Sequence, residues 1–259
     1  MRRRTRPLRL RIVFAVAVPI AIVAAWQIVA TARPSLYWPS PLMIVQSFGR
    51  TWLDGMIVQD VLPSLGRFVV GYLIAVVVGV VLGLLIGSFR RLRYAAEPVI
   101  DIFRAVPPPV IVPVVMLFVG IGDDMKIIVI AIGSVWPVLL NTVEGVRGID
   151  EVQRSTADSY RVSPWRRYVR IALPAATPQI LVGARQSLSI ALIMMVISEM
   201  FAATNGIGFN IVQFQRLFAL PEMWGGIVIL GVIGVVANVL FTFAERRVAA
   251  WHFGMQESR

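Results

Sequence analysis

From Phe68 to Ser88 the chain carries no charged side chain, and five other stretches come close to that condition. A helix needs about 20 predominantly apolar residues to cross the hydrocarbon core of a bilayer. Ile12–Ala32 is also free of charge. A third stretch, roughly Ala95–Gly122, is charged only near its start, at Glu97, Asp101 and Arg104. Ile127–Val143 is a shorter fourth, Pro178–Ala203 is a fifth interrupted by Arg185 and Glu199, and Met223–Ala244 is a clean sixth. Composition agrees: 58% of residues are hydrophobic and 15% charged, against roughly a quarter charged in a soluble domain. Too few polar residues remain to coat a water-soluble surface. The expectation is an all-α integral membrane protein with six transmembrane helices.

The charges between these stretches set an orientation. The chain has 25 Lys+Arg against 14 Asp+Glu, a formal net of +11. With the N-terminus inside, 20 basic residues fall on the inner side, among them Arg90, Arg91, Arg93, Arg147, Arg161, Arg166, Arg167 and Arg170. Five fall outside: Arg33, Arg50, Arg67, Lys126 and Arg216. This is a positive-inside distribution, with both termini cytoplasmic. It accounts for the net charge without any nucleic-acid partner. Lys126 is the single lysine and reads as genome composition rather than mechanism. The outer loops balance those five basic residues with Asp54, Asp60, Asp123, Asp124 and Glu222, so no electrostatic funnel for an anion is visible. The arginine-rich start followed by an apolar run resembles a signal peptide, but the run is too long for a signal core and reads as a span. The absence of cysteine excludes disulfides and thiolate sites, and the one histidine, His252, is a tail residue.

Two features qualify the helices. Gly79, Gly83 and Gly87 form a strip of small residues where a second helix can approach closely, which reads first as packing and second as a moving interface. Pro107, Pro108, Pro109 and Pro113 remove backbone donors and force a break, which a membrane tolerates only where it is buried in protein or faces a cavity. Pro107 and Pro108 therefore point to a translocation path. Glu199 is costly inside a membrane and faces a cavity or a partner. Asp101 and Arg104 are spaced to pair on a helix. Arg185 snorkels inward. Asn141, Gln186 and Asn238 could line a path or bond between helices.

The segment between the fourth and fifth spans, residues 144–177, carries the sharpest signal. Ile149–Arg161 reads as a helix with Ile149, Val152, Thr156 and Tyr160 on one face. Ser163 and Pro164 then supply an N-cap and a first-turn proline. A short basic helix follows from Trp165 to about Ala172, with Pro174 limiting its continuation. Such a helix–turn–helix is either a knob that docks on a soluble partner or an interfacial helix resting on headgroups. On the residues alone both readings stand.

The stretch STADSYRVSPWRRYVRIALPAATP resembles the cytoplasmic signature loop of ABC importer permeases, roughly E-A-A, three residues, G, nine residues, I-x-L-P. Ile171, Leu173 and Pro174 match its end and Ala157 its second alanine. Thr156 replaces the first alanine, Ser155 the glutamate and Arg161 the glycine. If that position needs a positive φ, arginine there is disfavoured by about 1 kcal/mol or more. LPSLGRFVVGYLIAVVVGVVLGLLIGSFR, EPVIDIFRAVPPPVIVPVVMLFVGIGDD and ISEMFAATNGIGFNI extend the resemblance over about residues 60–248. Its style is that of the nitrate/sulfonate/taurine-type branch, which includes bicarbonate and pyrimidine importers.

The resemblance implies a type I ABC importer permease fold in the bacterial inner membrane, with a cytoplasmic coupling helix. Residues 1–59 would be a basic tail, first span and external loop, 60–248 a permease core with five spans, and 249–259 a cytoplasmic tail. It implies a homodimer, a pair of ATPase subunits below and an extracytoplasmic solute-binding protein above. The chain lacks a G-x-x-x-x-G-K-[ST] motif, so ATP and magnesium would be bound by the partner; this chain would hold no cofactor and catalyse nothing. Thr156, Ala157, Asp158, Tyr160, Arg161, Ser163 and Pro164 would contact the ATPase, and Pro107, Pro108, Asn141, Gln186 and Glu199 would line or gate the path. The substrate would be a small anion or related organic solute. An ion-gradient-driven transporter is the rival; it would favour inverted repeats and clustered midplane carboxylates, and neither is evident. An intramembrane enzyme would need a catalytic set such as H-E-x-x-H, and a channel would conduct without nucleotide.

Overall fold

The computed structural model describes residues 8–201 and 203–249, and every regular element among them is helical. The helices are α1 (Leu8–Ala32), α2 (Pro41–Thr51), α3 (Leu62–Ser88), α4 (Arg90–Ala105), α5 (Ile111–Val119), α6 (Asp123–Arg147), α7 (Glu151–Ser159), α8 (Pro164–Arg167), α9 (Leu173–Phe201), α10 (Ile207–Arg216) and α11 (Leu220–Val248). His252 and the tail beyond residue 249 lie outside the described residues. Pro41–Ser88, Asp123–Arg147, Trp165–Phe201 and Leu220–Val248 are long and apolar enough to cross a membrane. Arg90–Ala105 and Pro108–Val119 make a fifth span when taken as one element bent by 85°. Ala17–Ala32, within α1, is a shorter apolar helix.

Three boundaries differ from the sequence expectation. The first of these spans is interrupted at Asp54 and Gly55, where Gly55 takes a left-handed φ of 89° that suits a residue without Cβ. The helix expected over Ile127–Val143 runs over 25 residues, because its extra turns carry charges of the right sign. Asp123 and Asp124 occupy the positive N-terminal end of the helix dipole and Arg147 the negative C-terminal end. Pro174 does not stop the basic helix. A π-type turn over Tyr168–Ala172 shifts the hydrogen-bond register just before the proline, so the helix continues unbroken from Trp165 to Phe201.

The chain divides into two compact units. The first comprises residues up to 57 together with 210–228. In it the rings of Trp26, Trp38 and Trp224 stand 5.4–5.6 Å apart pairwise, and the fully buried Trp52 donates its indole N–H to the Glu222 carbonyl at 3.0 Å.

The second unit, residues 58–209 and 229 onward, holds the main core. Its centre is α6, packed between α3 and α9, with Met125, Val129, Ile130, Ala191, Met194 and Met195 fully buried. Gly71 faces Ile130, Gly79 faces Val138, Gly83 faces Thr142 and Gly87 faces Val146. The constant offset means that α3 and α6 run parallel. Parallel neighbours need a return crossing between them, and the bent α4–α5 pair is that return. Gly133 meets Met194 while Gly145 meets Ala176, so α9 runs antiparallel to α6. Arg185 reaches Glu245 and Leu192 approaches Gly234, so α11 runs antiparallel to α9. The glycine strip is therefore a packing surface. A Cβ on Gly83 would lie 2.5 Å from the Thr142 Cβ and 2.9 Å from the Leu139 carbonyl oxygen.

Gly83→Ala should therefore destabilise the bundle by about 1–3 kcal/mol through overpacking, read as a lower Tm in detergent. Gly66→Ala, on the same helix with no atom within 4 Å of the added Cβ, should be neutral or stabilising by up to about 1 kcal/mol.

Candidate functional site

Asp60, in the helical turn that leads into α3, and Ser64 and Arg67, at the start of α3, stand at helical spacing i, i+4, i+7 and share a face. All three are buried, as are Lys126 on α6 and Glu199 on α9. Arg67 is the hub. Its Nη1 donates to Glu199 Oε1 at 2.9 Å, its Nη2 to Asn205 Oδ1 at 2.7 Å, and its Nε to Asp123 Oδ1 at 2.8 Å. Glu199, 1% exposed, also accepts the Ser64 hydroxyl at 2.6 Å on Oε1 and the Gly208 N–H at 3.0 Å on Oε2. Ser64 Oγ in turn accepts the Ile207 N–H at 3.1 Å, and Asp60 Oδ1 accepts the Gly206 N–H at 2.8 Å.

The sequence Asn205-Gly-Ile-Gly208 folds over Glu199 because its glycines have no side chains. Gly206 adopts φ 121°, and a Cβ there would lie 2.5 Å from the Glu199 carboxyl carbon. The result is a carboxylate whose lone pairs are filled from α3 and from the first turn of α10. Taking such an ion out of water costs several kcal/mol, which good geometry offsets and the loss of either partner exposes. Glu199, predicted as a gate or structural charge, is thus placed in a lock.

Arg67, Lys126, Asp60 and Asp123 stood in the sequence reading as outer loop charges. They lie on helices, and all but Asp123 are buried. The i, i+4, i+7 spacing of Asp60, Ser64 and Arg67 could have put Asp60 and Arg67 on one helix face; it carries no signal for Lys126, Asp123 or the pairing with Glu199.

Two further predicted residues come together between α6 and α9. Asn141 Nδ2 donates to the Pro137 carbonyl at 2.8 Å and lies 3.5 Å from Gln186 Oε1. Pro107 and Pro108 sit at the α4–α5 bend, where a short 3₁₀ turn over Pro108–Val110 packs against α6 and α9. Asp101 and Arg104 form the expected pair at 3.1 Å. Arg185 does not simply snorkel: it binds Glu245 at 2.5 Å and Thr242 at 3.0 Å and stacks over Phe241.

At the opposite end of α6, α7 ends in a Schellman motif. The Val162 N–H bonds back to the Ala157 carbonyl at 3.0 Å, and Arg161 takes the left-handed position with φ 48°. The position that the resemblance gives to glycine takes a positive φ here, with arginine bearing the strain. Ser163 occupies the N-cap position of α8, its carbonyl accepting the Arg167 N–H at 3.0 Å. Asp158 and Pro164 lie on the helical backbone of α7 and α8; their side chains are outside the described set. Ala157 is 4% exposed and anchors α7 over a cavity of about 530 Å³ lined by Gly87, Val146, Ile149 and Ile171. Val152, Thr156 and Tyr160 face outward on the other side of α7. Of the face that the sequence pattern marked as apolar, Val152, Thr156 and Tyr160 are therefore exposed, and Ile149 alone turns to the cavity.

Breaking the lock has a definite signature. Glu199→Gln should destabilise the protein by about 3–5 kcal/mol, because it leaves the buried Arg67 guanidinium short of a counter-charge. The double variant Arg67→Met/Glu199→Leu should melt closer to wild type than either Arg67→Met or Glu199→Leu alone, measured as Tm in detergent.

Known proteins share this architecture. The chain is 29% identical over 235 residues to a Bacillus subtilis protein named as an aliphatic sulfonates transport permease, SsuC, covering 90% of this chain and 85% of that one. It is 26% identical over 257 residues to the taurine transport system permease protein TauC of Escherichia coli, covering 96% and 94%. Among solved structures, a chain of the MetNI methionine ABC transporter superposes with a TM-score of 0.65 at 18% identity, covering 76% of this chain and 98% of that one. The fold is that of a type I ABC importer permease. A family model matches residues 75–251, and the protein belongs to the family of binding-protein-dependent transport system inner membrane components.

Proposed function

We propose that this chain forms the translocation pathway of an ATP-driven importer for a small anion of the sulfonate type, as a homodimer driven by separate ATPase subunits through the 149–164 elbow. One observation carries the coupling part of this reading. The helix that leaves the elbow at Trp165 continues unbroken to Phe201 and carries Glu199 at its far end. A force applied to the elbow is transmitted along one rigid element to the ion lock. The elbow has the character of a docking knob: a capped helix, Ala157 fixed inward, and Val152, Thr156 and Tyr160 presented outward.

The other parts of the reading have their own support. The sulfonate and taurine permeases that resemble this chain over nearly its full length favour a small organic anion. Membership of a binding-protein-dependent family favours a solute-binding protein on the outer side. The positive-inside distribution favours cytoplasmic termini and a cytoplasmic elbow. Thr156, Asp158, Tyr160, Arg161, Ser163 and Pro164 are then the ATPase contacts, while Ala157, expected among them, is buried and holds α7 in place; Pro107, Pro108, Asn141 and Gln186 border the path. The gradient-driven alternative lacks an evident carrier group, since the Glu199 carboxylate is committed to Arg67, Ser64 and Gly208.

The test is the Arg161→Glu variant, reconstituted with its ATPase and binding protein. It should uncouple ATP hydrolysis from transport, so that less substrate moves per ATP. Unchanged substrate-stimulated ATPase would count against the elbow as the coupling element.

A further inference from the structure

Lys126 is the buried group that the bundle accounts for least well. Its side chain is 4% exposed, yet among the described residues its ammonium has one contact, Asp123 Oδ1 at a long 3.4 Å. An ammonium carries three donors, and burial of one so poorly matched is expensive. Asp123 is unlike its neighbours: its side chain is 62% exposed, and the contacts from Arg67 Nε, Arg67 Nη2 and Lys126 Nζ all converge on the single oxygen Oδ1. The same place is the amino end of α6, whose N-cap, Gly122, has no side chain to satisfy the orphan N–H groups. Two cations thus meet at a carboxylate that water can reach, on the first residue of a helix whose N-cap makes no side-chain hydrogen bond.

We infer that Arg67, Lys126 and the start of α6 form a binding site for a monovalent oxyanion, and that Asp123 occupies it here as a tethered stand-in. This rests on the reading of the chain as an anion importer and names a contact for its substrate class. Planar or trigonal oxygens suit the guanidinium fork that now holds Asp123. The cluster sets Arg67 and Lys126 against Asp60, Glu199 and Asp123, and a monoanion that takes the place of the Asp123 carboxylate as it swings into water leaves that count unchanged. A dianion would add a further negative charge to a cluster whose carboxylates already outnumber its cations and is disfavoured. Displaced Asp123 is already mostly in water, so its release costs little desolvation. Lys126, with donors to spare, gains partners when the anion enters.

A tethered carboxylate acts at an effective concentration in the millimolar range, so it should mask the site against free anions. Thermal unfolding of the full-length chain in detergent is followed during titration with sodium ethanesulfonate, with sodium chloride and sodium sulfate at equal ionic strength as comparisons. Asp123→Asn should show saturable stabilisation by ethanesulfonate at a concentration at least about tenfold lower than wild type, and sulfate should be weaker. Asp123→Asn/Lys126→Met should lose that response. Asp123→Gly, made in parallel, guards against a defect peculiar to asparagine and should respond as Asp123→Asn does. The inference is overturned if both Asp123 variants respond like wild type, if chloride does as well as ethanesulfonate, or if the response survives removal of Lys126. Co-purification with an ATPase is read separately; its presence with no anion response would defeat this site and leave the importer reading standing.

Discussion

A carboxylate with almost no exposure survives inside a helix bundle only when something answers its charge, and for Glu199 that is Arg67. The pair joins the far end of α9 to the start of α3 at 2.9 Å. Ser64 and the Gly206–Gly208 backbone complete it from the same two directions. Neither charge can leave without exposing the other in a low-dielectric interior. This end of the bundle therefore behaves as one piece, and what moves must move around it or break it. The small residues of α3 make the contact possible, because the in-register approach of α3 to α6 sets Arg67 beside the first turn of α6.

The proposed coupling rests on what is attached to the other end of the same helix. The elbow, the π-type turn that carries the helix past Pro174, and the long run of α9 form a continuous mechanical element. The turn over Tyr168–Ala172 keeps the element unbroken where a proline would otherwise interrupt it. The bent α4–α5 pair and the Asn141–Gln186 contact lie alongside, where the helix ladder is weakened or polar groups face one another. Under the proposed function these features border the path; broken backbone in a membrane is tolerated only against protein or a cavity.

Much of this was legible in the amino-acid sequence, for reasons that differ by element. Uncharged runs such as Phe68–Ser88 declare spans because lipid imposes one strict requirement. The elbow was legible from turn chemistry: Ser163-Pro164 starts a helix, and Arg161 marks a position whose φ of 48° the sequence pattern assigns to glycine. Pro174 was misread because local rules treat proline as a stop and do not anticipate a register shift just upstream. Arg67 and Lys126 were misread because a charge between apolar runs looks like a loop charge. Their partners lie far away in the chain, Glu199 being 132 residues from Arg67, and no local pattern reports such a pairing. The outward face of α7 was misjudged for a related reason: which side of a short amphipathic helix is buried depends on what it docks against.

The chain contains no cysteine, so a single one introduced at Thr156 reports only on the outward face of α7. Thiol cross-linking of Thr156→Cys in membranes, with and without ATP, is the most direct test of a partner-driven elbow. The account predicts a cross-linked species with a co-expressed ATPase subunit whose yield changes when nucleotide is added. A residue 156 thiol that reacts only with lipid-phase reagents, with no ATPase adduct in either state, would contradict it.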